Sequence, residues 1–259
     1  MRSPAELFDL SGRRAVVTGA SSGIGRRLAL VLAAAGAEVL VVARREQRLV
    51  QLAQEHPALA ARLHPAAVDL LSDGAAAAVA ERADTVLGGC DIVVGAAGMS
   101  GGLAGSCAFD GALFERVLRL NVTQQAALTA ALFPALAASG QGRVIHVASI
   151  YGLGAEQMGP LTPYVVSKHA LVGLTRSQAV EWSAHGITVN ALAPGHIPTE
   201  MTEARLQDPA YAGGLLPRYP LGRFGRLEEL DTAVLFLASP ASTFVTGIVL
   251  PVDGGWSCR

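Results

Sequence analysis

Two observations predict an α/β fold: a doubly wound, parallel seven-stranded sheet with helices on both faces. Short β-branched runs alternate with longer Ala/Leu-rich helical segments, the pattern of a parallel sheet covered on both sides. A glycine-rich stretch also lies between the first run and the first helix, where a βαβ unit turns tightly. The 259 residues suit one large domain or two small ones. No linker, repeat or low-complexity segment divides them, so residues 1–259 read as a single domain.

The first strand is Arg14 to Gly19 and the first helix covers 24–35, ending at Gly36. Glu38 to Ala43 is a second strand, followed by a charged helix from Glu46 to about Glu55. A weaker third strand lies around Pro65 to Asp69, and Asp73 starts a helix to about Leu87. Asp91 to Ala96 is the fourth strand. Leu113, Val117, Leu120, Leu128, Leu132 and Leu136 recur at helical spacing and predict one long helix over 109–138, bent or ended near Pro134. Strands follow at 143–148, Ile187 to Ala193 and Phe244 to Val252, with helices from Thr162-Pro163 to about Ala184 and from Leu227 to Leu237. Residues 196–224 are Pro/Gly-punctuated and polar, and read as a lid over the substrate.

Composition excludes several functions. A net charge of −1 offers no basic excess to neutralise nucleic-acid phosphates. Cys90, Cys107 and Cys258 are odd in number and lack metal-ligand spacing, so they read as reduced thiols of a cytoplasmic protein with no metal. Met1 to Arg13 has no apolar stretch of a signal peptide. The most apolar segment, Leu28 to Ala43, is interrupted by Gly36 and Glu38 and is too short to span a bilayer.

The chemistry-bearing residues converge on 145–168. Thr162-Pro163 is a helix-start signal, with Thr as cap and Pro at the first helical position. Tyr164 and Lys168 are then four apart and share a face. An ammonium beside a phenol is expected to lower the phenol pKa. The chain holds nineteen Arg and one Lys, and that Lys is Lys168. A position kept as lysine amid so many arginines suggests a need for a compact ammonium rather than a planar fork. Ser149 follows the apolar run 144–148, at the end of a buried strand.

Thr18-Gly19-Ala20-Ser21-Ser22-Gly23-Ile24-Gly25 stands strand–turn–helix. Its glycines admit close backbone approach, and the helix N-terminus offers free N–H groups to a pyrophosphate. The second strand ends at Ala43, followed by Arg44 and Arg45, with no carboxylate at its tip. Two guanidiniums there suit the 2′-phosphate of NADP(H) in preference to the free hydroxyl of NAD(H).

The turn 18–25, Asn121, Ser149, Tyr164-Val165-Val166-Ser167-Lys168, Asn190 to Gly195 and Val252 to Gly255 together resemble the short-chain dehydrogenase/reductase family. The motifs lie in the right order over nearly the whole chain. Segments 163–201 and 221–255 also resemble bacterial gluconate-dehydrogenase-like members, and 3-oxoacyl-carrier-protein-reductase-like members share most of the motifs. The resemblance implies a Rossmann-type fold and roles for particular residues. Tyr164 would be the general acid/base, and Lys168 would hold the nicotinamide ribose and lower the Tyr164 pKa. Ser149 would bond the substrate oxygen, and Asn121 would fix a water that links Lys168 to solvent. Asp69 and Leu70 would meet the adenine, while Pro194, Gly195, Ile197 and Thr199 would bound the nicotinamide. Homotetramers are common in the family, and the Ala-rich helices 109–138 and 164–184 carry apolar residues on more than one face, as a buried interface requires.

Two departures stand out. The fourth strand ends Gly95-Ala96-Ala97-Gly98 where the family has Asn-Asn-Ala-Gly, so the missing amides need a replacement such as water, while Ala97 and Gly98 keep their backbone contact with the cofactor. Ser149 and Tyr164 are fifteen residues apart, more than is common in the family, and the extra length in 153–163 brings Glu156, Gln157 and Met158 but no cation. Arg205 or Arg218 of the 196–224 segment could supply one. Ser149, Tyr151, Gln157 and His196 are the candidate substrate contacts. The leading expectation is an NADPH-dependent ketone reductase acting on a small or medium polar substrate. Alternatives are a 3-oxoacyl or polyketide ketoreductase working on a carrier-bound substrate and, outside catalysis, an NADPH-binding scaffold or regulator.

Overall fold

β-Branched runs flanked on both sides by amphipathic helices leave the chain few ways to bury its apolar surface, and the computed structural model shows the one it takes. It describes residues 3–102, 104–154 and 160–258, so the candidate contact Gln157, with Glu156 and Met158, lies outside the described residues. After a short helix α1 (Pro4–Leu7), the elements alternate as β1 (Arg14–Thr18), α2 (Gly23–Ala34), β2 (Glu38–Ala43), α3 (Glu46–Glu55), β3 (Leu63–Ala67), α4 (Ala75–Leu87) and β4 (Ile92–Gly95). There follow α5 (Gly111–Leu118), α6 (Gln124–Ala138), β5 (Arg143–Val147), α7 (Thr162–Trp182) and β6 (Thr188–Pro194). The short α8 (Glu203–Leu206) and α9 (Pro209–Leu215) precede α10 (Asp231–Ala238) and β7 (Val249–Val252).

All seven strands pair in parallel in the order β3-β2-β1-β4-β5-β6-β7. The order reverses between β1 and β4, which opens a crevice at the carboxyl ends of these two strands. Alternate residues of each strand feed opposite cores, as the two-residue period demands. Val17, Val39, Val41 and Val94 pack with Leu28 and Leu32 of α2, Leu49 and Leu52 of α3 and Val234 and Leu237 of α10. Val16, Leu40, Val42 and Val93 pack with Val79 of α4, Leu128, Leu132 and Leu136 of α6 and Ala179 of α7. A third cluster, Ile150, Tyr151, Leu161, Val165, Leu206, Leu215, Tyr219 and Trp256, joins the 196–224 segment to the site loops.

Several expected boundaries move. The third strand begins at Leu63, and its Pro65 is tolerated because β3 is a sheet edge. The expected long helix is interrupted: Asp110 caps α5 through the Leu113 N–H (3.0 Å), and a π turn over Arg119–Thr123 separates α5 from α6. Pro134 sits inside α6. Thr162 does not cap α7; it is the first helical residue, Pro163 the second, and the Thr162 N–H is taken by the Ala104 carbonyl (3.0 Å). The last strand is shorter than expected because Asn190 holds the preceding loop, donating to the Val245 carbonyl (2.9 Å) and accepting from the Ile248 N–H (3.2 Å). Among the described residues, no helix is long and apolar enough to cross a membrane.

Candidate active site

The first wall of the site is the turn after β1. Gly19 has φ +69° and Gly23 φ +53°, a left-handed backbone that side chains disfavour. A Cβ on Gly19 would lie 2.9 Å from the Ala96 carbonyl and the Ala97 N, and one on Gly25 would lie 2.5 Å from the Gly19 carbonyl oxygen. The turn is therefore pressed against the end of β4, and only glycines permit it. Ser22 precedes α2 without capping it by a side-chain hydrogen bond, so the first helical N–H groups stay available to an anion. These features suit a dinucleotide pyrophosphate.

The turn opens onto a cavity of about 360 Å³ that runs over β1, β4, β5 and β6. Every cofactor or substrate contact named from the sequence that falls among the described residues lines it. Glu200, Met201, Arg205 and Tyr211 line it as well, and nothing in the sequence pattern singled out Glu200, Met201 or Tyr211. Arg45 lies across the turn: its guanidinium donates to Ser21 Oγ (3.0 Å), Ser22 Oγ (2.9 Å) and Glu200 Oε2 (2.9 Å). Arg48 is 3.5 Å from the other Glu200 oxygen. Hydrogen bonding to Arg45 holds the Glu200 carboxyl below its usual pKa. Arg44 is exposed beside the same wall.

Ser149, Tyr164 and Lys168 meet on the opposite wall. Ser149 leaves β5 in extended conformation and accepts from the Tyr151 N–H (3.2 Å). Tyr164 and Lys168 project from successive turns of α7, with the ammonium 5.4 Å from the phenol ring centroid. Lys168 Nζ donates to the Val147 carbonyl (2.7 Å), and burial pulls its pKa down to about 8. The expected lowering of the Tyr164 pKa is not seen. Burial pushes it up, and a hydrogen bond from Ser149 offsets part of that rise. Desolvation dominates because phenol and ammonium are enclosed together, and the ammonium turns toward a carbonyl.

Asn121 sits one layer behind, in the π turn. It accepts from the Met99 N–H (2.9 Å) and donates to the Met99 carbonyl (2.9 Å) and Ser167 Oγ (3.0 Å). A Cβ on Gly98 would come within 3.2 Å of Asn121 Oδ1 and 3.9 Å of Lys168 Nζ, so this glycine keeps the two side chains close. One of the two amides missing from the end of the fourth strand, that at Gly95, has its place taken by protein. Gln125, one turn after Asn121, places its Oε1 in the space a Gly95 side chain would occupy and donates from Nε2 to the Ala97 carbonyl (2.9 Å). The signal in the sequence was a polar Gln125 on the buried face of the helix.

His196 does not present a free ring edge. Nε2 lies 3.0 Å from the Tyr151 hydroxyl, and Nδ1 lies 2.6 Å from that of Tyr219. His146, behind β5, bonds Gln178 Oε1 through Nε2 (3.0 Å). Burial lowers both histidine pKa values to about 4.

Between pH 6.5 and 4 the unfolded chain therefore binds more protons at these two histidines than the folded chain does, and stability falls as the solution is acidified. Each histidine removes about 3 kcal/mol by pH 4. Urea denaturation at successive pH values should show this loss, and His146→Gln should flatten it by roughly half. A denaturation midpoint constant from pH 6.5 to 4 would contradict the burial argument.

The arrangement joins a glycine turn with open helical N–H groups and a long crevice to a phenol with a neighbouring hydroxyl and ammonium. A sequence model described as enoyl-(acyl carrier protein) reductase matches residues 19–257. A galactitol 2-dehydrogenase (L-tagatose-forming) of Cereibacter sphaeroides is 38% identical over 252 residues, 97% of each chain. The crystal structure of a short-chain type dehydrogenase/reductase from Mycobacterium marinum superposes with TM-score 0.93 at 37% identity, covering 99% of this chain and 100% of the other. A Burkholderia cenocepacia gluconate 5-dehydrogenase, solved with NADP and tartrate, gives TM-score 0.92 at 33% identity, over 99% of this chain and 100% of that one. Matches that run through the glycine turn, the crevice and the Tyr164 helix alike place the chain in the short-chain dehydrogenase/reductase family, as an NAD(P)-dependent oxidoreductase.

Proposed function

We propose that the protein is an NADPH-dependent reductase, reversibly a secondary-alcohol dehydrogenase, for a small or medium polar ketone. The observation that carries this reading is the meeting of Ser149, Tyr164 and Lys168 on the wall facing the glycine turn. A bound nicotinamide would supply the hydride chemistry, and the protein supplies orientation and the proton. Tyr164 gives its hydroxyl proton to the carbonyl oxygen. Its raised pKa keeps that proton in place at neutral pH until negative charge develops on the substrate. The Ser149 hydroxyl donates toward that charge. Lys168, held at the Val147 carbonyl, would hold the nicotinamide ribose, and its ammonium, 5.4 Å from the phenol ring centroid, would favour the Tyr164 phenolate as it forms. Asn121 fixes the backbone at Met99 and steadies the layer beneath Lys168.

Ser21, Ser22 and the Gly19–Gly25 turn hold the pyrophosphate, and Asp69 and Leu70 border the adenine. Ala97, Gly98, Pro194, Gly195, Ile197 and Thr199 enclose the nicotinamide half. Arg44 and Arg45 take the 2′-phosphate, with Arg45 exchanging Glu200 for it. The dehydrogenases of similar sequence act on polyols and sugar acids, which supports a polyoxygenated substrate. Residues 1–259 serve as one cytoplasmic domain in which 196–224 closes over the substrate. Exposed Ala127 and Ala130 on α6 and Val166 and Val180 on α7 suit a homotetramer.

Tyr164→Phe should lower kcat about a thousandfold and leave NADPH affinity, read by fluorescence titration, nearly unchanged; unchanged turnover would overturn the assignment. Arg45→Ala should lower kcat/KM for NADPH about tenfold and spare NADH. Equal kcat/KM for the two cofactors in the wild type would remove the NADP preference. Light scattering at micromolar concentration should give about four times the 26.6 kDa chain mass, and the mass of one chain would refute the tetramer.

A further inference from the structure

The hydrogen bonds around His196 have a direction, and the direction ends at the substrate side of the cavity. Tyr151, His196 and Tyr219 are 6%, 7% and 3% exposed, so bulk water does not satisfy their polar atoms and each must be matched internally. The Tyr219 hydroxyl accepts from the His196 backbone N–H (2.8 Å) and lies 2.6 Å from His196 Nδ1. Nδ1 is the acceptor that the structure places at that hydroxyl, at this short distance, so its proton goes to Nδ1. Nδ1 is then bare, and the neutral ring carries its proton on Nε2. Nε2 therefore donates to the Tyr151 hydroxyl, 3.0 Å away. Tyr151, having accepted, has its own proton left to give to the cavity that it lines.

The same tyrosine is tied to the reacting groups. Its N–H bonds Ser149 Oγ (3.2 Å), and its ring meets that of Tyr164 edge to face with centroids 6.1 Å apart. We infer that Tyr219 and His196 hold Tyr151 as a directed hydrogen-bond donor for a second oxygen of the substrate, a hydroxyl or carboxylate on the carbon next to the reacting carbonyl. This inference rests on the ketone-reductase reading above and specifies its substrate class. His196 and Tyr219 are positioning residues, and Tyr151 is the contact that separates oxygenated ketones from plain ones. A site built to hydrogen-bond an oxygen discriminates strongly against a ligand that lacks it.

Three substrates of equal length test the inference: a short methyl ketone, the same ketone hydroxylated on its methyl carbon, and the corresponding α-oxo acid. Tyr151→Phe should raise KM about tenfold more for whichever oxygenated substrate the wild type prefers than for the plain ketone, with the effect falling on KM more than on kcat. A preference for the hydroxyl or for the carboxylate tells the two sources of the acceptor apart. Equal effects on all three substrates, or none, would overturn the inference. Nitrogen-15 NMR of the histidine rings reads the relay without turnover: His196 should be neutral and protonated on Nε2, and Tyr219→Phe should mix the tautomers and shrink the KM contrast. An Nδ1-protonated His196 in the wild type would sink the relay. Wild-type enzyme inert toward all three ketones but active on a carrier-bound thioester would instead defeat the free-ketone reading, while the ring tautomer still decides the relay.

Discussion

Contact between the glycine turn and the end of β4 is the constraint on which the remaining geometry depends. Gly19 lies against Ala96 and Ala97, and Gly25 lies against Gly19 itself, at distances that leave no room for a Cβ. With the turn pressed so close, α2 aims its N-terminus along the crevice that the reversal of strand order opens. β5 and β6 extend the crevice on the other side of β4. The ends of those strands bring Ser149 and His196 to the same cavity as the turn. One backbone contact thereby sets the distance between the open helix N-terminus and the cluster of Ser149, Tyr164 and Lys168.

The elements legible in the sequence were those whose signal is local. Buried strands such as Val39–Val42 are continuous apolar runs because both faces are covered, and the glycine turn is recognised from its place between strand and helix. The family resemblance was legible for the same reason, since its motifs are short and ordered. The break at Arg119–Thr123 was not legible, because leucines at helical spacing continue through a π turn that adds a residue without ending the helix. The Gln125 replacement was hidden too, since it joins α6 to β4, thirty positions apart in sequence. Likewise no spacing rule could connect Tyr219 with His196, which meet only after 196–224 folds back over the sheet end.

The Tyr164–Lys168 pair shows how burial changes a prediction made from charge alone. Proximity suggested a phenol made acidic by an ammonium, but enclosure acts on both groups, and each is pushed toward its neutral form. The neutral phenol is what a proton donor needs at rest. Charge stabilisation then acts only when charge develops, which is where it speeds a reaction. The same logic keeps His146 and His196 uncharged, so their ring nitrogens serve as fixed donors and acceptors.

The two ends of the crevice also differ in how they meet the surrounding solution. Arg45, Arg48 and Glu200 join the turn to the 196–224 segment through half-exposed charges, and mobile ions at 0.1 M screen such pairs over about 10 Å. Ser149, Lys168 and the Tyr151–His196–Tyr219 chain are buried, and Tyr164 is partly buried beside them. The crevice is therefore fastened at one rim by a clasp that rising ionic strength loosens, and at the other by contacts indifferent to it. On the function proposed above, salt would ease the grip on the adenosine end of a nucleotide while the other end of the crevice keeps its shape.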